Sequence, residues 1–213
     1  MKTDDLISML AQDAAPPPAP PLGLRVALGL GLGFGAALVL FFLALGPRPF
    51  LMEAVQNPVV LAKTLLPLAL FGFATTLGLR AVRPGVPMGR SSRIIWLVPA
   101  VLAGLVVWAL VTTPRGEMFL DWVGHSIPVC LPAITVLSLP IMAGLITALR
   151  RGAPVDPQAA GALAGLAAAG LATAIYSTFC TEDSPLFYAT WYTVGIILTA
   201  GLGAWAGGKW LRW

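Results

Sequence analysis

The sequence predicts an all-α integral membrane protein, a bundle of six transmembrane helices with both termini in the cytoplasm. Three observations carry this. First, 58% of the 213 residues are hydrophobic and only 10% are charged, against roughly 25% charged in soluble domains. Mean hydropathy is +0.86. Second, the apolar residues fall in six continuous runs: 26–45, 59–79, 94–113, 127–149, 159–179 and 188–208. Each reaches the roughly 20 residues a helix needs to cross a hydrocarbon core about 30 Å thick. Third, ten of the thirteen Lys and Arg residues lie at one end of these runs. They are Lys2, Arg25, Arg80, Arg83, Arg90, Arg93, Arg150, Arg151, Lys209 and Arg212. The alternate loops hold only Arg48 and Arg115. Excess positive charge marks the cytoplasmic side.

These observations also exclude. Disorder requires low hydrophobicity. A β-barrel requires alternating rather than continuous apolar runs. The short connections leave no room for an aqueous active site, so no enzyme activity and no cofactor are expected. The net charge of +4 reads as topology and contact with anionic lipid. No basic stretch is interleaved with aromatics as a nucleic-acid surface would be, so no direct nucleic-acid contact is expected.

The first segment, residues 1–13, reads as a short amphipathic helix. Thr3 is placed to cap it, and Asp4 and Asp5 suit the positive end of its dipole. Leu6, Ile7 and Leu10 form an apolar stripe. A helix this short is marginal in water, so it is expected to fold on a partner. Its acids disfavour an anionic membrane surface as that partner. The N-terminus lacks the positive region and cleavage site of a signal peptide, so the first span is expected to be retained. Residues 14–25 read as a Pro-rich linker, with AAPPPAPP as a stiff polyproline spacer.

The membrane bundle is expected over 26–208. Its first span carries two GxxxG pairs, Gly29/Gly33 and Gly31/Gly35. The fifth carries Gly161/Gly165, and small residues let helices approach closely in lipid. Lys63 is the one charge well inside a span. An intramembrane charge is a functional candidate, but Lys63 lies about a turn from the outer end, where its stem can snorkel to the interface, and that is the favoured reading. No carboxylate lies deep in a span, which argues against a proton-coupled transporter. Pro128, Pro132 and Pro140 crowd the fourth span, whose outer end is expected to be irregular; this proline-weakened helix is the candidate moving part. Residues 209–213 form a cytoplasmic tail.

Glu53, Glu117, Asp121, Glu182 and Asp183 fall in the outward loops. Cys130 and Cys180 lie at the same outer end, near His125, Glu182 and Asp183. Three readings of the cysteines stand side by side. They form a structural disulfide, they act as a redox or soft-metal sensor, or they are apolar filler.

Several segments carry a family resemblance: MKTDDLISMLAQD at the start, LRRGAPVDPQAAGALAGLAAAG, YSTFCTEDSPLFYATWYT, and the closing GKWLRW. Together they resemble the NrsF family, the "negative regulator of sigma F" membrane anti-sigma factors of proteobacteria. The resemblance spans essentially the whole chain, and LRRGAP and FCTEDSP…WY are its most specific parts. It implies a multi-pass protein of the bacterial inner membrane. Such a protein holds an extracytoplasmic-function (ECF) RNA polymerase sigma factor inactive and releases it under heavy-metal or oxidant stress.

Carried over residue by residue, the resemblance matches the sensing cysteines to Cys130 and Cys180. These would react as thiols or ligate a soft heavy-metal ion, with His125, Glu182 and Asp183 as auxiliary candidates. It matches the sigma-binding segment to residues 1–13, with Asp4, Asp5, Leu6, Ile7 and Leu10 as contacts. The expected partners are therefore the sigma factor, membrane lipid and a soft metal ion. Two alternatives are a small-molecule transporter and a membrane thiol-redox protein. The spans offer the first few midplane polar groups beyond Thr75, Thr76 and Thr173. The second usually needs a closely spaced cysteine pair.

Overall fold

The computed structural model describes residues 2–13 and 21–212. The expected polyproline spacer, 14–21, lies outside the described residues except for Pro21, which is extended (φ −59°, ψ 146°) and immediately precedes α2. Among the described residues there are ten helices and no strand. They are α1 (Thr3–Asp13), α2 (Leu22–Ala44), α3 (Leu51–Ala54), α4 (Pro58–Ala81), α5 (Ser91–Ile94), α6 (Leu97–Thr112), α7 (Met118–Val123), α8 (Ile127–Leu149), α9 (Pro157–Ser177) and α10 (Pro185–Trp210). Six helical stretches are long and apolar enough to cross a membrane: 22–44, 58–81, 92–112, 118–149, 157–177 and 185–210.

Helices α2, α4, α9 and α10 begin one to four residues before the apolar runs, and at α4 and α9 a side-chain cap sets the start. Asn57 accepts the Val59 N–H at 2.9 Å. Asp156 accepts those of Gln158 and Ala159 at 3.0 Å each. A proline follows each cap, where its missing N–H costs nothing. Residues 22–25, read from the sequence as linker, are the first turn of α2. In α1 the helix begins at Thr3 rather than being capped by it, and the Asp5 carboxylate reaches back to the Lys2 N–H at 3.3 Å. That is one half of a capping box.

The N-terminal end of α8, expected from the sequence to be irregular, is regular. Pro128 occupies the first turn, and the helix runs on through Pro132 and Pro140 to Leu149. The irregular backbone lies just before it, in the turn at Gly124.

Helix α9 is the centre of the bundle. It packs along α10, α4 and α8, while α2 packs on α8 and α6 lies at the periphery against α10 and α4. Small side chains put α9 there: its buried face is built of Ala160, Gly161, Ala164, Gly165, Ala168 and Ala172. Gly161 and Gly165 meet the backbone of α10 at Gly203, Gly207 and Thr199. Of the two pairs in α2, only Gly29/Gly33 is an interface. A Cβ at Gly33 would fall 2.6 Å from the Pro140 carbonyl, and Gly29 faces Gly144. A Cβ at Gly31 or Gly35 would meet nothing within 4 Å.

Up-and-down connectivity gathers the loops 45–57, 113–126 and 178–184 at one end of the bundle. The loops 82–90 and 150–156 gather at the other, where the Ala153 N–H bonds the Val82 carbonyl at 2.9 Å.

Candidate functional site

Both cysteines sit at the first of these ends, and they are neighbours. Cys130 lies in the first turn of α8, its N–H donating to the Ser126 carbonyl at 2.8 Å. Cys180 follows α9, its N–H donating to the Tyr176 carbonyl at 3.1 Å. Both are free thiols, and their exposures are 0% and 1%. The Tyr176 hydroxyl stands beside both sulfurs and the Tyr192 hydroxyl beside that of Cys180. Among the described residues, neither hydroxyl has a hydrogen-bond partner. The two rings meet edge to face, with centroids 5.8 Å apart. The site is thus a buried cluster of two thiols and two phenols, which together present four weakly satisfied polar atoms.

A short loop closes this pocket from outside. Lys63 Nζ donates to the carbonyls of Cys180 at 2.8 Å and Glu182 at 3.1 Å, and to Asp183 Oδ1 at 2.8 Å. Arg48 Nη1 donates to the Cys180 carbonyl at 3.2 Å and to both Asp183 oxygens at 2.8 and 3.0 Å. The Arg48 N–H bonds the Thr178 carbonyl at 2.9 Å. Glu182 Oε1 accepts the His125 N–H at 2.8 Å and the Ser126 hydroxyl at 3.3 Å. Gly124, at φ +56°, permits this approach, since a Cβ there would lie 3.0 Å from the Glu182 carboxyl carbon and 2.6 Å from the Phe187 ring. Segment 180–183 is therefore tied to three other parts of the chain: the loop after α2, helix α4, and the turn before α8.

The snorkelling expected of Lys63 is overturned. The side chain is 1% exposed, and its ammonium turns into the protein's own loop instead of water. A lysine ammonium has three protons to donate, and here three acceptors receive them. Burial of a charge is tolerated when it is paired and fully hydrogen-bonded. Partial burial pushes the Asp183 carboxyl up, but the hydrogen bonds from Arg48 and Lys63 and their two charges outweigh it. The group is held below its ordinary value.

Of the auxiliary candidates, Glu182 and Asp183 hydrogen-bond within this loop network. The His125 imidazole faces outward, with its side chain 93% exposed and Nδ1 3.9 Å from Glu182. Among the described residues, no three His, Cys, Asp or Glu side chains converge on a point where a metal ion could sit. The chain itself offers a soft ion two sulfurs. Sequence reasoning missed Arg48 as part of the site and ranked the functional reading of Lys63 below snorkelling. The signal was present, because both cations and the acidic pair at 182–183 fall at the same end of the spans.

At the N-terminus, Asp4, Asp5, Leu6, Ile7 and Leu10 are all exposed on α1. They present the apolar stripe without burying it in the bundle.

Fold and site together define a polytopic helical membrane protein whose chemistry-bearing residues are collected in one buried dithiol pocket. The particular family follows from comparison with known proteins. The chain belongs to the NrsF family, described as negative regulator of sigma F, which matches residues 10–213. It is 38% identical over 221 residues to the anti-sigma-F factor NrsF of Caulobacter vibrioides, with the full length of both chains covered. It is 30% identical over 220 residues to the probable anti-sigma-F factor NrsF of Azospira oryzae, again over both full lengths. No solved structure matches the chain.

Proposed function

We propose that this protein is an anti-sigma factor of the bacterial inner membrane. It sequesters an extracytoplasmic-function sigma factor on its cytoplasmic segment α1. It releases that factor when Cys130 and Cys180, on the periplasmic side, meet a soft metal ion or an oxidant. The observation that carries this reading is the pairing of two free thiols in one buried pocket. That pocket lies at the end of the bundle away from the start of α2, the helix that follows the exposed amphipathic segment. The names of the two relatives support the sigma-factor half of the reading. The asymmetry of basic residues supports the orientation.

In this reading Leu6, Ile7 and Leu10 supply the apolar contact, and Asp4 and Asp5 favour a basic partner surface. Thiolates bind soft metals and react with oxidants, so the pocket is the input. The bundle couples the two ends by shifting between helix arrangements.

A pull-down from detergent extract tests the output. The intact chain is expected to retain a sigma factor, and deletion of residues 1–13 to lose it. Undiminished capture after the deletion would count decisively against α1. On the input side, Cys130→Ser and Cys180→Ser are each expected to abolish release by a soft metal ion. Normal release from either variant would exclude the thiols as the sensor.

A further inference from the structure

The ion network around segment 180–183 does more than neutralise Lys63. All three acceptors of the Lys63 ammonium lie within four residues of chain, and Cys180 is the first of them. The Cys180 carbonyl takes hydrogen bonds from two cations. Its N–H is held by Tyr176. The backbone of Cys180 is therefore pinned on both sides, and the buried thiol it carries reaches a new bonding partner most readily when that backbone shifts. A displacement of about 1 Å at Cys180 would stretch the 2.8 Å bond from Lys63 beyond hydrogen-bonding range. Lys63 and Arg48 come from different parts of the chain, so the same displacement frees the end of α2 and the start of α4 together.

We propose that Lys63, Asp183 and Arg48 are the latch of the dithiol pocket. They are positioning residues that hold Cys130 and Cys180 closed at rest, set the threshold at which the thiols react, and transmit opening to α2 and α4. This inference rests on the sensing role proposed above for the thiols, but its first readout does not depend on a sigma factor.

The test is the alkylation rate of each thiol by a small maleimide, measured on the full chain in native membrane vesicles. Cys180 is followed in a Cys130→Ser background and Cys130 in a Cys180→Ser background. Asp183→Asn, Arg48→Gln and Lys63→Met are each expected to raise both rates about tenfold or more. That is the factor corresponding to about 1.4 kcal/mol of lost closure. Asp183→Glu, which keeps the charge, is expected to return the rate most of the way to the resting value.

A buried reporter, Ala168→Cys in a chain lacking both native cysteines, serves as control because Ala168 lies in the core of α9. Its labelling is expected to stay unchanged by the latch substitutions. Equal acceleration at the reporter would overturn the latch in favour of general loosening. Unchanged rates at Cys130 and Cys180 in Arg48→Gln and Asp183→Asn would overturn it outright. Should Lys63→Met fail to accumulate, those two milder variants decide.

In cells carrying both cysteines, the latch variants are expected to shift the inducer dose curve of sigma-dependent transcription to lower concentration. No shift despite faster alkylation would refute the threshold role. Loss of all induction in the Cys→Ser variants is the separate test of the sensing role.

Discussion

The two ends of the bundle are held together by opposite means. At the thiol end, helices are tied by charge: Lys63, Arg48 and Asp183 close over Cys180. At the other end, helices are tied by the absence of side chains. There Gly161 packs on Gly203 and Gly207, and Gly29 on Gly144. The many arginines of that end, such as Arg83, Arg90, Arg150 and Arg151, stay exposed. In lipid, apolar side chains gain little by leaving the bilayer for one another, so tight contact comes from close packing or from buried polar bonds. A glycine contact is passive and stiff. An ion network is undone by one lost charge or a small displacement. Both cysteines lie at the second kind of end, which is where the sensing role proposed for them needs a contact that a small displacement undoes.

The largest effect is expected from filling the glycine seam. Gly161→Leu would drive a side chain into the α10 backbone, where a Cβ alone falls 2.6 Å from the Gly207 Cα. It should cost about 3 kcal/mol, the upper range for overpacking, and lower the midpoint of thermal unfolding in detergent sharply. An unfolding midpoint like that of the parent would show that the far end is not held by this contact.

Next comes Lys63→Met, which leaves two carbonyls and a carboxylate without their shared donor. The expected loss is about 2 kcal/mol. That is below the 3–5 kcal/mol of a fully buried pair because the Asp183 side chain is 32% exposed. Denaturant titration in detergent checks it, and stability equal to the parent would remove the charge tie from the comparison.

A smaller effect follows from acid. The folded state holds the Asp183 carboxyl below its ordinary value of about 3.8, so its contribution is complete above that value. It is lost as pH falls through the depressed folded value. Parent and Asp183→Asn should therefore differ in stability at neutral pH and converge only below about pH 4. Convergence already near pH 6 would contradict the assignment.

The smallest effect distinguishes the two GxxxG pairs of α2. Gly31→Ala should change stability by no more than about 0.5 kcal/mol, because nothing lies near it. Gly33→Ala should be clearly destabilising, since it would press on Pro140 and Ile141. Equal effects from the two substitutions would mean that α2 packs differently.

Much of the architecture was legible because hydropathy and charge act locally. The six apolar runs mark where the six membrane-length helical stretches lie. Helix parity alone put Cys130 and Cys180 at a common end. The site was legible only in part. The spacing of Cys130 and Cys180 shows that they share an end, not that Tyr176 stands beside both sulfurs. Lys63 was misread for a specific reason. A lysine one turn from a helix end has the same reach whether water or a neighbouring loop lies above it, and one-dimensional sequence does not say which.

By itself, then, the sequence determined the helical membrane class, the asymmetry of charge between the ends and the exposed stripe on α1. These follow from the solvent preference of each segment, which is nearly independent of its neighbours. Tertiary structure alone decided which glycine pair is an interface, that α9 sits at the centre, and that Arg48, Lys63 and Asp183 close over Cys180. Those outcomes depend on which helix faces meet. A four-residue spacing of glycines is the same on every face of a helix, and a charge is a tether only when its counter-charge, more than a hundred residues away in the chain, is folded against it.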